Sequence, residues 1–326
     1  MPDSGNWQKM YRRSIRTSFS LVLFLVLVGG VVRSTGSGLG CPDWPKCFGL
    51  WIPPTSVSQI PAEFWNHPLS SSEGKIVFNP LKTWIEYLNR LLGVLIGFAI
   101  LVQAAFSLLI KPRNNASLFF SIASLLMVLF QGWLGSRVVS SDLRPLIISL
   151  HLLVALLISL SLLAALYFAG SGDKDFASYP HESPRFRPVV VAVSVLLMLQ
   201  FFLGTEVRSQ VDALFREFDF ASRELYVARL NVVFLVHRSL SLLVLLLLFL
   251  QFRYAGRWFS AEALWVPLLP LLLSLLLIVS GILLNYFQFP AFVQPFHLLF
   301  GLSIICCECW IVLHLFFLKN RSVLRA

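Results

Sequence analysis

Charged residues are scarce in this chain. Only 13% of its 326 residues are Asp, Glu, Lys or Arg, whereas 57% are hydrophobic. A typical soluble domain carries about 25% charged residues. The mean hydropathy of the chain is +0.78. This composition excludes a soluble globular protein and predicts an all-α integral membrane protein.

Long polar segments are also few, because eight apolar runs occupy most of the chain. These runs are about 15–33, 83–110, 117–138, 145–169, 188–207, 231–252, 263–284 and 295–318. Apolar runs of about 18 or more residues can cross a bilayer as helices, so we predict eight transmembrane helices. The first run continues into "GGVVRSTGSG" without a small-residue cleavage site, which indicates a retained helix and not a signal peptide.

Acidic residues are fewer than basic ones, 16 against 26, and the net charge is +10. If the N-terminus is cytoplasmic, the short inner segments hold more Lys and Arg than the longer outer segments, as the positive-inside rule requires. Eight helices then place both termini in the cytoplasm. The positive charge is therefore a topology signal and gives no reason to propose nucleic-acid binding. The short N-terminus has no evident transit peptide, which favours a bacterial inner (cytoplasmic) membrane over a mitochondrial one.

Three motifs occur twice in the chain, in the same order. "GGVVRS" resembles "GTEVRS", "EYLNRLLGVL" matches "VFLVHRSLSLL", and "LGSRVV" before one histidine matches "SGILLN" before another. These matches align the following pairs: Arg33 with Arg208, Asn89 with His237, Arg90 with Arg238, and His151 with His297. The repetition predicts a duplicated four-helix unit, and two four-helix bundles side by side are the simplest architecture.

The predicted duplication divides the chain into two halves. Residues 1–170 form the N-terminal four-helix half, and residues 171–326 form the C-terminal four-helix half. A long outer loop, about 34–81, joins the first two helices, and a second outer loop covers about 208–230. Neither loop is large enough to form a separate soluble domain.

Three histidines and one asparagine lie at corresponding positions near the outer ends of the even-numbered helices. They are Asn89, His151, His237 and His297. Ionisable side chains within a membrane usually face a bundle interior, where a histidine can form an interhelical hydrogen bond or bind a ligand. Imidazole is a common iron ligand, and helix pairs hold haem in bundle cores. The repeat-related histidines favour haem, with His237 and His297 as a pair of axial ligands.

Charged side chains lie beside these positions. Arg90 and Arg238 directly follow the aligned pair, and each can extend to lipid headgroups or pair with the carboxylates of a haem. Glu86 lies three residues before Asn89 on the same helix face, and its counterpart in the second half is Phe234. A carboxylate at such a site could exchange protons near a reacting group, or it could be an interfacial acid without a chemical role. The N-terminal half therefore suits a reaction site, and the C-terminal half suits a permanent cofactor site.

Cysteine is used sparingly, with five residues in the chain. Cys41 and Cys47 occur in "CPDWPKC" on the predicted outer face, where an oxidising compartment favours a disulfide. Their exposed position would also permit a redox-active pair. The other cysteines lie in the eighth helix and are interpreted as small apolar residues: Cys306, Cys307 and Cys309.

Several of these stretches together are similar to one known family. "GGVVRSTGSGLGCPDWPKCFGLWIPP", "EYLNRLLG", His151 in the fourth helix, "HRSL" and "QPFHLLFG" resemble the haem A synthase family. The resemblance extends through nearly the whole chain, including the eight helices and the cysteine loop. The first stretch and the "EYLNR" element are fairly specific, whereas the others gain specificity only from their order.

The resemblance implies an integral membrane oxidoreductase that converts haem O to haem A for terminal haem–copper oxidases. A methyl group on the porphyrin rim becomes a formyl group through successive oxidations. The resemblance also implies a haem b cofactor bound by His237 and His297 in the C-terminal half, next to Arg238. Substrate haem O would bind in the N-terminal half, with His151 as an iron ligand and Arg90 beside it.

Asn89 departs from the family pattern. The family element ExxHR has histidine where this chain reads "EYLNR", and its glutamate, which is thought essential for the oxidation, falls on Glu86. Asparagine is a poor iron ligand, so substrate haem is expected to be held through His151 alone, with Asn89 hydrogen-bonding a water, a propionate or Glu86. The paired cysteines of the family's first outer loop fall on Cys41 and Cys47.

Two other functions fit the same residues. A membrane b-type cytochrome that only carries electrons is compatible with an intact C-terminal pair and an altered N-terminal one. A haem-binding assembly protein that passes haem to an oxidase without catalysis is the second alternative. A transporter is less well supported, because no substrate pathway is evident. For a synthase, the expected partners are the lipid bilayer, haem O, a haem O synthase and a membrane electron acceptor.

Overall fold

The computed structural model describes residues 4–66, 78–111, 113–171, 184–218, 226–255, 259 and 263–317. These residues form an all-α protein, as predicted. Its α-helices are α1 (Ser4–Ser34), α2 (Pro80–Leu109), α3 (Asn115–Ser140), α4 (Pro145–Leu166), α5 (Phe186–Phe218), α6 (Tyr226–Arg229), α7 (Val232–Ala255), α8 (Trp265–Tyr286) and α9 (Val293–Phe317). Much of the segment "GSGDKDFASYPHESPRFR", predicted to be an inner linker, lies outside the described residues, as do His67 and His181, for which the sequence suggests no role.

Eight of the described helices are long and apolar enough to cross a membrane, which confirms the predicted number. The ninth, α6, has only four residues. The protein is therefore an integral membrane protein with multiple spans. Because successive spans alternate in direction, α2, α4, α7 and α9 all begin at the same side of the protein, which we call the loop end.

The first helix begins 11 residues before the predicted start of its apolar run, at Ser4. Its polar first part is held by specific partners. The Tyr11 hydroxyl lies 2.8 Å from the Ser117 hydroxyl and 2.6 Å from that of Ser121, both on α3. Arg12 Nε donates a hydrogen bond of 2.8 Å to the Ala169 carbonyl, just after the end of α4. These long-range bonds stabilise helical turns that hydrophobicity alone does not predict.

The fifth helix continues to Phe218, so the predicted outer loop at 208–230 begins as helix. The extension is stable because one side of it is covered. Val211 on this extension is buried in a small apolar cluster with Tyr226 and Phe289. The same extension carries Arg208 and Asp212, which form an ion pair of 2.9 Å.

Each half forms a closed ring of four neighbouring helices. In the N-terminal half, α1 and α3 each pack against both α2 and α4. In the C-terminal half, α5 and α8 each pack against both α7 and α9. The helices α2 and α4 therefore stand at opposite corners of one ring, and α7 and α9 at opposite corners of the other. This shared pattern of neighbours accords with two four-helix bundles, and the duplication itself stays a prediction.

The two halves meet mainly where α9 packs against α1 and α4. Gly30 marks the closest approach, because a Cβ placed there would lie only 2.9 Å from the Cα of Pro295. The contact is reinforced by charge. Arg33 Nη2 lies 2.6 Å from Asp212 Oδ1, so one carboxylate binds Arg33 of the first half and Arg208 of the second.

The loop between α1 and α2 is packed onto the beginning of α2. The predicted disulfide between Cys41 and Cys47 is present, and both cysteines are buried in a cluster with Phe48 and Ile60. Gly40 lies so close to α2 that a Cβ there would be 2.6 Å from the Lys82 carbonyl oxygen. The loop therefore has a defined position over the loop end of the N-terminal half.

Cysteines of the last helix have no disulfide partner. Cys306 is buried, and Cys307 and Cys309 are half-buried. Cys306 packs in an apolar cluster with Leu302 and Ile305, which agrees with its interpretation as a small apolar residue.

Candidate functional site

His297 lies in the second turn of α9 and is held by α8. Its Nδ1 atom is 2.8 Å from Ser280 Oγ, and Ser280 Oγ is also 2.8 Å from the Leu277 carbonyl oxygen. The serine has one hydrogen, and the carbonyl can only accept, so the serine donates to Leu277 and accepts from His297 Nδ1–H. This assignment leaves Nε2 of His297 with its lone pair free to bind a metal.

The ring of His297 also rests on a glycine. A Cβ at Gly281 would lie 3.4 Å from His297 Cε1, at the short limit of ordinary van der Waals contact. The imidazole therefore packs directly against the α8 backbone. Ser280 and Gly281 thus fix the ring by one hydrogen bond and one steric contact.

His237 on α7 has a similar environment on α5. A Cβ at Gly204 would lie 3.3 Å from His237 Cε1, and Gln200 Nε2 donates a hydrogen bond of 3.0 Å to the His237 carbonyl oxygen. The Nδ1 atom of His237 is buried and has no hydrogen-bond partner among the residues that the structure describes. His237 and His297 lie on α7 and α9, which stand at opposite corners of the same ring of helices. The binding of one haem between the two histidines stays a prediction.

His151 on α4 repeats this arrangement in the N-terminal half. A Cβ at Gly135 would lie 3.4 Å from His151 Cε1, and Gln131 Nε2 donates a hydrogen bond of 2.9 Å to the His151 carbonyl oxygen. The Nδ1 atom of His151 is also buried, and it too has no hydrogen-bond partner in the described part of the chain. All three predicted histidines therefore share one feature, a glycine on a neighbouring helix against the edge of the ring.

Asn89 occupies the fourth position, on α2, and its surroundings differ. Leu25 Cδ2 of α1 lies 4.0 Å from the Cβ position of Gly93 on α2, and this register places Gly29 opposite Asn89. A Cβ at Gly29 would meet no atom of the described residues within 4 Å. The Asn89 Oδ1 atom is buried and has no hydrogen-bond partner in the described part of the chain. Asn89 therefore does not pack against Gly29 as the histidines pack against their neighbouring glycines.

Glu86 is bound to the disulfide loop and not to Asn89. Its Oε2 atom accepts a hydrogen bond of 2.9 Å from the Cys41 backbone N–H, and its Oε1 atom accepts bonds from Arg90. The side chain is only 5% exposed. Both carboxylate oxygens are therefore used to join the loop to α2. Of the three partners expected for Asn89, Glu86 is not the one observed.

Arg90 completes this junction. It pairs with the Glu86 carboxylate through Nε and Nη2 and donates to the backbone carbonyls of Asp43, Lys46 and Cys41. A guanidinium has five N–H donors, and all five are engaged in these bonds. The sequence predicts a haem carboxylate as the partner of Arg90, whereas the observed partner is Glu86 together with the loop. Binding a propionate would require these bonds to be exchanged.

Arg238, the counterpart of Arg90, has different surroundings. It is exposed, and its guanidinium lies over the ring of Phe234 at 5.7 Å. The predicted contact between Arg238 and a haem carboxylate stays a prediction.

Two glutamines that the sequence analysis does not identify also contribute to these sites. Gln131 and Gln200 each hold the backbone carbonyl of a histidine on the next helix. Each stands four residues before the glycine that contacts the same histidine, within "QGWLG" and "QFFLG". This recurring pattern could have identified them, because residues four apart lie on one helix face.

The available donors suit haem better than a metal ion bound by protein ligands alone. Within the described residues, no group of three or more His, Cys, Asp or Glu side chains could hold a metal ion. A haem iron needs only one or two protein ligands, because the porphyrin supplies the other four. Single imidazoles on facing helices, with a free Nε2 established for His297 and glycines that permit close approach, fit this requirement.

The fold and the site define a multi-span helical membrane protein with histidines on facing membrane-spanning helices. The chain matches the COX15-CtaA family, described as cytochrome oxidase assembly protein, over residues 12–308. The chain belongs to this family.

Several curated relatives are named heme A synthase. The protein of Shewanella oneidensis is 29% identical over 203 residues, which cover 61% of this chain and 57% of that protein. The protein of Shouchella clausii is 27% identical over 260 residues, which cover 77% of each chain. The protein of Ehrlichia canis is 35% identical over 150 residues, which cover 42% of this chain and 43% of that protein. The chain thus spans a little over half the length of the Shewanella protein.

Proposed function

We propose that this protein is a haem A synthase, an integral membrane oxidoreductase that oxidises a porphyrin methyl group of haem O to the formyl group of haem A. The observation that carries the proposal is the contact of three intramembrane histidines with glycines, in a chain of the COX15-CtaA family. Formally, the methyl group and one water give the formyl group, four protons and four electrons. A membrane electron acceptor must therefore receive the electrons.

In this proposal, residues 171–326 hold haem b between His237 and His297. Haem b bound there would supply one-electron transfer. Ser280 orients His297 through Nδ1 and would leave its Nε2 atom available to hold the iron. Gly204 and Gly281 set how near each ring lies to the neighbouring helix. These residues hold the cofactor and take no part in the chemistry of the methyl group.

Residues 1–170 hold the substrate haem O, with His151 as the axial ligand. Gln131 and Gly135 orient His151 as Gln200 and Gly204 orient His237. Asn89 faces the substrate site from α2, at the opposite corner of the ring from α4. The absence of an imidazole at position 89 leaves the iron of the substrate with one protein ligand.

Glu86 is proposed as the acid on which the oxidation depends, and its contacts indicate that it acts through the loop. Glu86 and Arg90 hold the Cys41–Cys47 loop over the loop end of α2, one turn from Asn89. A loop held in this way excludes water from the mouth of the substrate site. Glu86 is therefore treated as a positioning residue, and the catalytic role expected from the sequence becomes indirect.

The loop end is proposed to face the outer side of a bacterial inner (cytoplasmic) membrane, with both termini in the cytoplasm. The disulfide supports this orientation, because disulfides persist on the oxidising side of that membrane. Both haem sites then lie toward the outer face. A haem O synthase is the proposed source of substrate.

One experiment tests the proposal. The chain is expressed together with a haem O synthase, and the extracted haems are identified by mass. We expect haem A in the parent, and haem O alone in His151→Ala. Glu86→Gln should lower the haem A yield, and Glu63→Gln, which alters an exposed acid of the same loop, should not. Persistence of haem O in the parent overturns the proposal.

A b-type cytochrome that carries electrons is the second candidate. One observation favours it, because the histidine pair of the C-terminal half is complete, whereas Asn89 replaces a ligand in the other half. In that case the parent would hold a low-spin haem b that His237→Ala removes, and no haem A would form.

A further inference from the structure

Resting on the proposed function, we infer that the space between Asn89 and Gly29 is a binding site for a small exogenous iron ligand, either water or a compact molecule such as carbon monoxide or imidazole. The Asn89 side chain forms a hydrogen bond with that ligand. The site is specific to this chain, because it depends on the asparagine at position 89.

The first observation is steric. Three of the four site positions carry an imidazole that covers a glycine of the neighbouring helix, at Cβ distances of 3.3 to 3.4 Å. Gly29 is the fourth such glycine by register, and a Cβ there would meet no described atom within 4 Å. The asparagine side chain is shorter than an imidazole and does not reach Gly29. In the N-terminal half, no atom of the described residues fills the position that His237 fills against Gly204.

The second observation is an unpartnered polar atom. Asn89 Oδ1 is buried, and within the described residues it accepts no hydrogen bond. A buried amide oxygen without a partner is unfavourable, so it favours binding of a group that can donate to it. The nearest acid on the same helix face, Glu86, is already committed to Arg90 and Cys41. The amide is thus available to a ligand and not to the loop.

Together, the two observations describe open space beside Gly29 and one hydrogen-bonding group, the Asn89 amide, facing it. A bound water satisfies Asn89 Oδ1 by donating to it, and carbon monoxide can accept from the amide N–H₂ of the same side chain. The opposite side of the substrate is held by His151. The N-terminal haem therefore has one protein ligand and one exchangeable ligand.

Carbon monoxide is the direct probe. The purified protein, loaded with both haems, is reduced and exposed to carbon monoxide, and haem content is counted from the extracted pigment. We expect two haems per chain, one of which binds carbon monoxide, and we expect His151→Ala to remove the reactive haem. In Asn89→His, a fourth imidazole should occupy the site, so that both haems become low-spin and carbon monoxide no longer binds. In Asn89→Leu, binding should persist, with a shifted C–O stretching frequency because the hydrogen bond is lost.

Imidazole titration tests the role of Gly29. In the parent, added imidazole should convert the N-terminal haem from high-spin to low-spin. Gly29→Val places branched side-chain atoms in the space, and we expect it to weaken imidazole binding by about tenfold, or ~1.4 kcal/mol. The matched control is Gly97→Val on α2, because Gly97 also has no described atom within 4 Å of its Cβ position but lies two helical turns from Asn89.

The outcomes separate the two proposals. If only one haem binds per chain and His151→Ala changes nothing, the proposed substrate site fails, and the inference fails with it. If two haems bind but both are low-spin and inert to carbon monoxide, the substrate site stands and the inference is wrong. If Gly29→Val and Gly97→Val weaken imidazole binding equally, Gly29 does not border the ligand, and the inference is likewise wrong.

Discussion

Ser280 and His297 form a hydrogen bond of 2.8 Å that links α8 to the last helix of the protein. The serine hydroxyl is itself directed to the Leu277 carbonyl, so its oxygen accepts the Nδ1 hydrogen of His297. Acceptors of this kind increase the basicity of a ligating imidazole. A more basic imidazole stabilises ferric over ferrous iron and lowers the reduction potential of a bound haem.

Ser280→Ala removes this acceptor, so we expect the midpoint potential of the C-terminal haem to rise. A tenfold change in relative affinity for the two oxidation states corresponds to about 59 mV, which sets the scale of the rise. Redox titration of the purified protein measures it. Ser274→Ala is the control, because Ser274 lies on the same helix and donates to the Leu271 carbonyl, with no histidine contact among the described residues. Equal potentials for the two variants would contradict the assigned role of Ser280.

Gly30→Ala should destabilise the contact between the halves. A Cβ at Gly30 meets the Cα of Pro295 at 2.9 Å, so α1 and α9 must move apart, at a cost of about 1–3 kcal/mol. Thermal unfolding in detergent without added haem is the measurement. Gly29→Ala is the neighbouring control, with the same gain in helix propensity and no contact within 4 Å among the described residues. A melting temperature for Gly30→Ala at or above that of Gly29→Ala would show that the close approach of α1 and α9 at Gly30 does not determine stability.

Asp212→Asn should weaken the same contact through charge. Asp212 binds Arg33 of the first half at 2.6 Å and Arg208 of the second at 2.9 Å, and its side chain is 19% exposed. Loss of the carboxylate leaves two arginines facing a neutral amide, and we expect destabilisation of about 1–3 kcal/mol, less than for a fully buried pair. Unfolding of the single and double variants with Arg33→Gln measures the coupling between Arg33 and Asp212.

The control for that coupling is Glu217→Gln. Glu217 lies 3.6 Å from Arg229, and both side chains are at least half exposed, so its removal should change stability little. Additive effects of Asp212→Asn and Arg33→Gln would indicate that the two residues do not interact in the membrane protein.

Glu86→Gln should make the loop disulfide easier to reduce. Cys41 is fully buried, and its backbone N–H and carbonyl are held by Glu86 and Arg90. A neutral amide cannot form the ion pair with Arg90, so the loop should open more often and admit thiols. The rate of reduction by dithiothreitol, followed by alkylation and mass measurement, should rise several-fold. Glu63→Gln in the same loop is the control, and an equal rate in both variants would argue against the anchoring role.

The membrane spans could be predicted because hydrophobic length is a local property. All eight apolar runs correspond to helices. The predicted helix ends are wrong where contacts with residues distant in sequence extend a helix. The first helix begins at Ser4 because Tyr11 finds hydroxyls on α3, more than 100 residues away in sequence. The fifth helix continues to Phe218 because its polar extension buries Val211.

In the site, too, local sequence features were predictable and long-range contacts were not. His151, His237 and His297 could be identified because they stand at repeat-related positions, and each has a glycine beside its ring. Only some of the hydrogen-bond partners of Arg90 could be predicted from the sequence. Its spacing from Glu86 is that of an i, i+4 pair, which the sequence displays, whereas its bonds to the loop carbonyls depend on how that loop folds over α2.

Asp212 has a consequence for how the two halves can associate. The two arginines that the repeat aligns share this single carboxylate, and the matching position in the first half is Ser37. Two copies of the N-terminal half would therefore bring arginines together without an acid between them. The ionic contact therefore favours association of two unlike halves. The predicted duplication is not symmetric at this contact, and each half is the specific partner of the other.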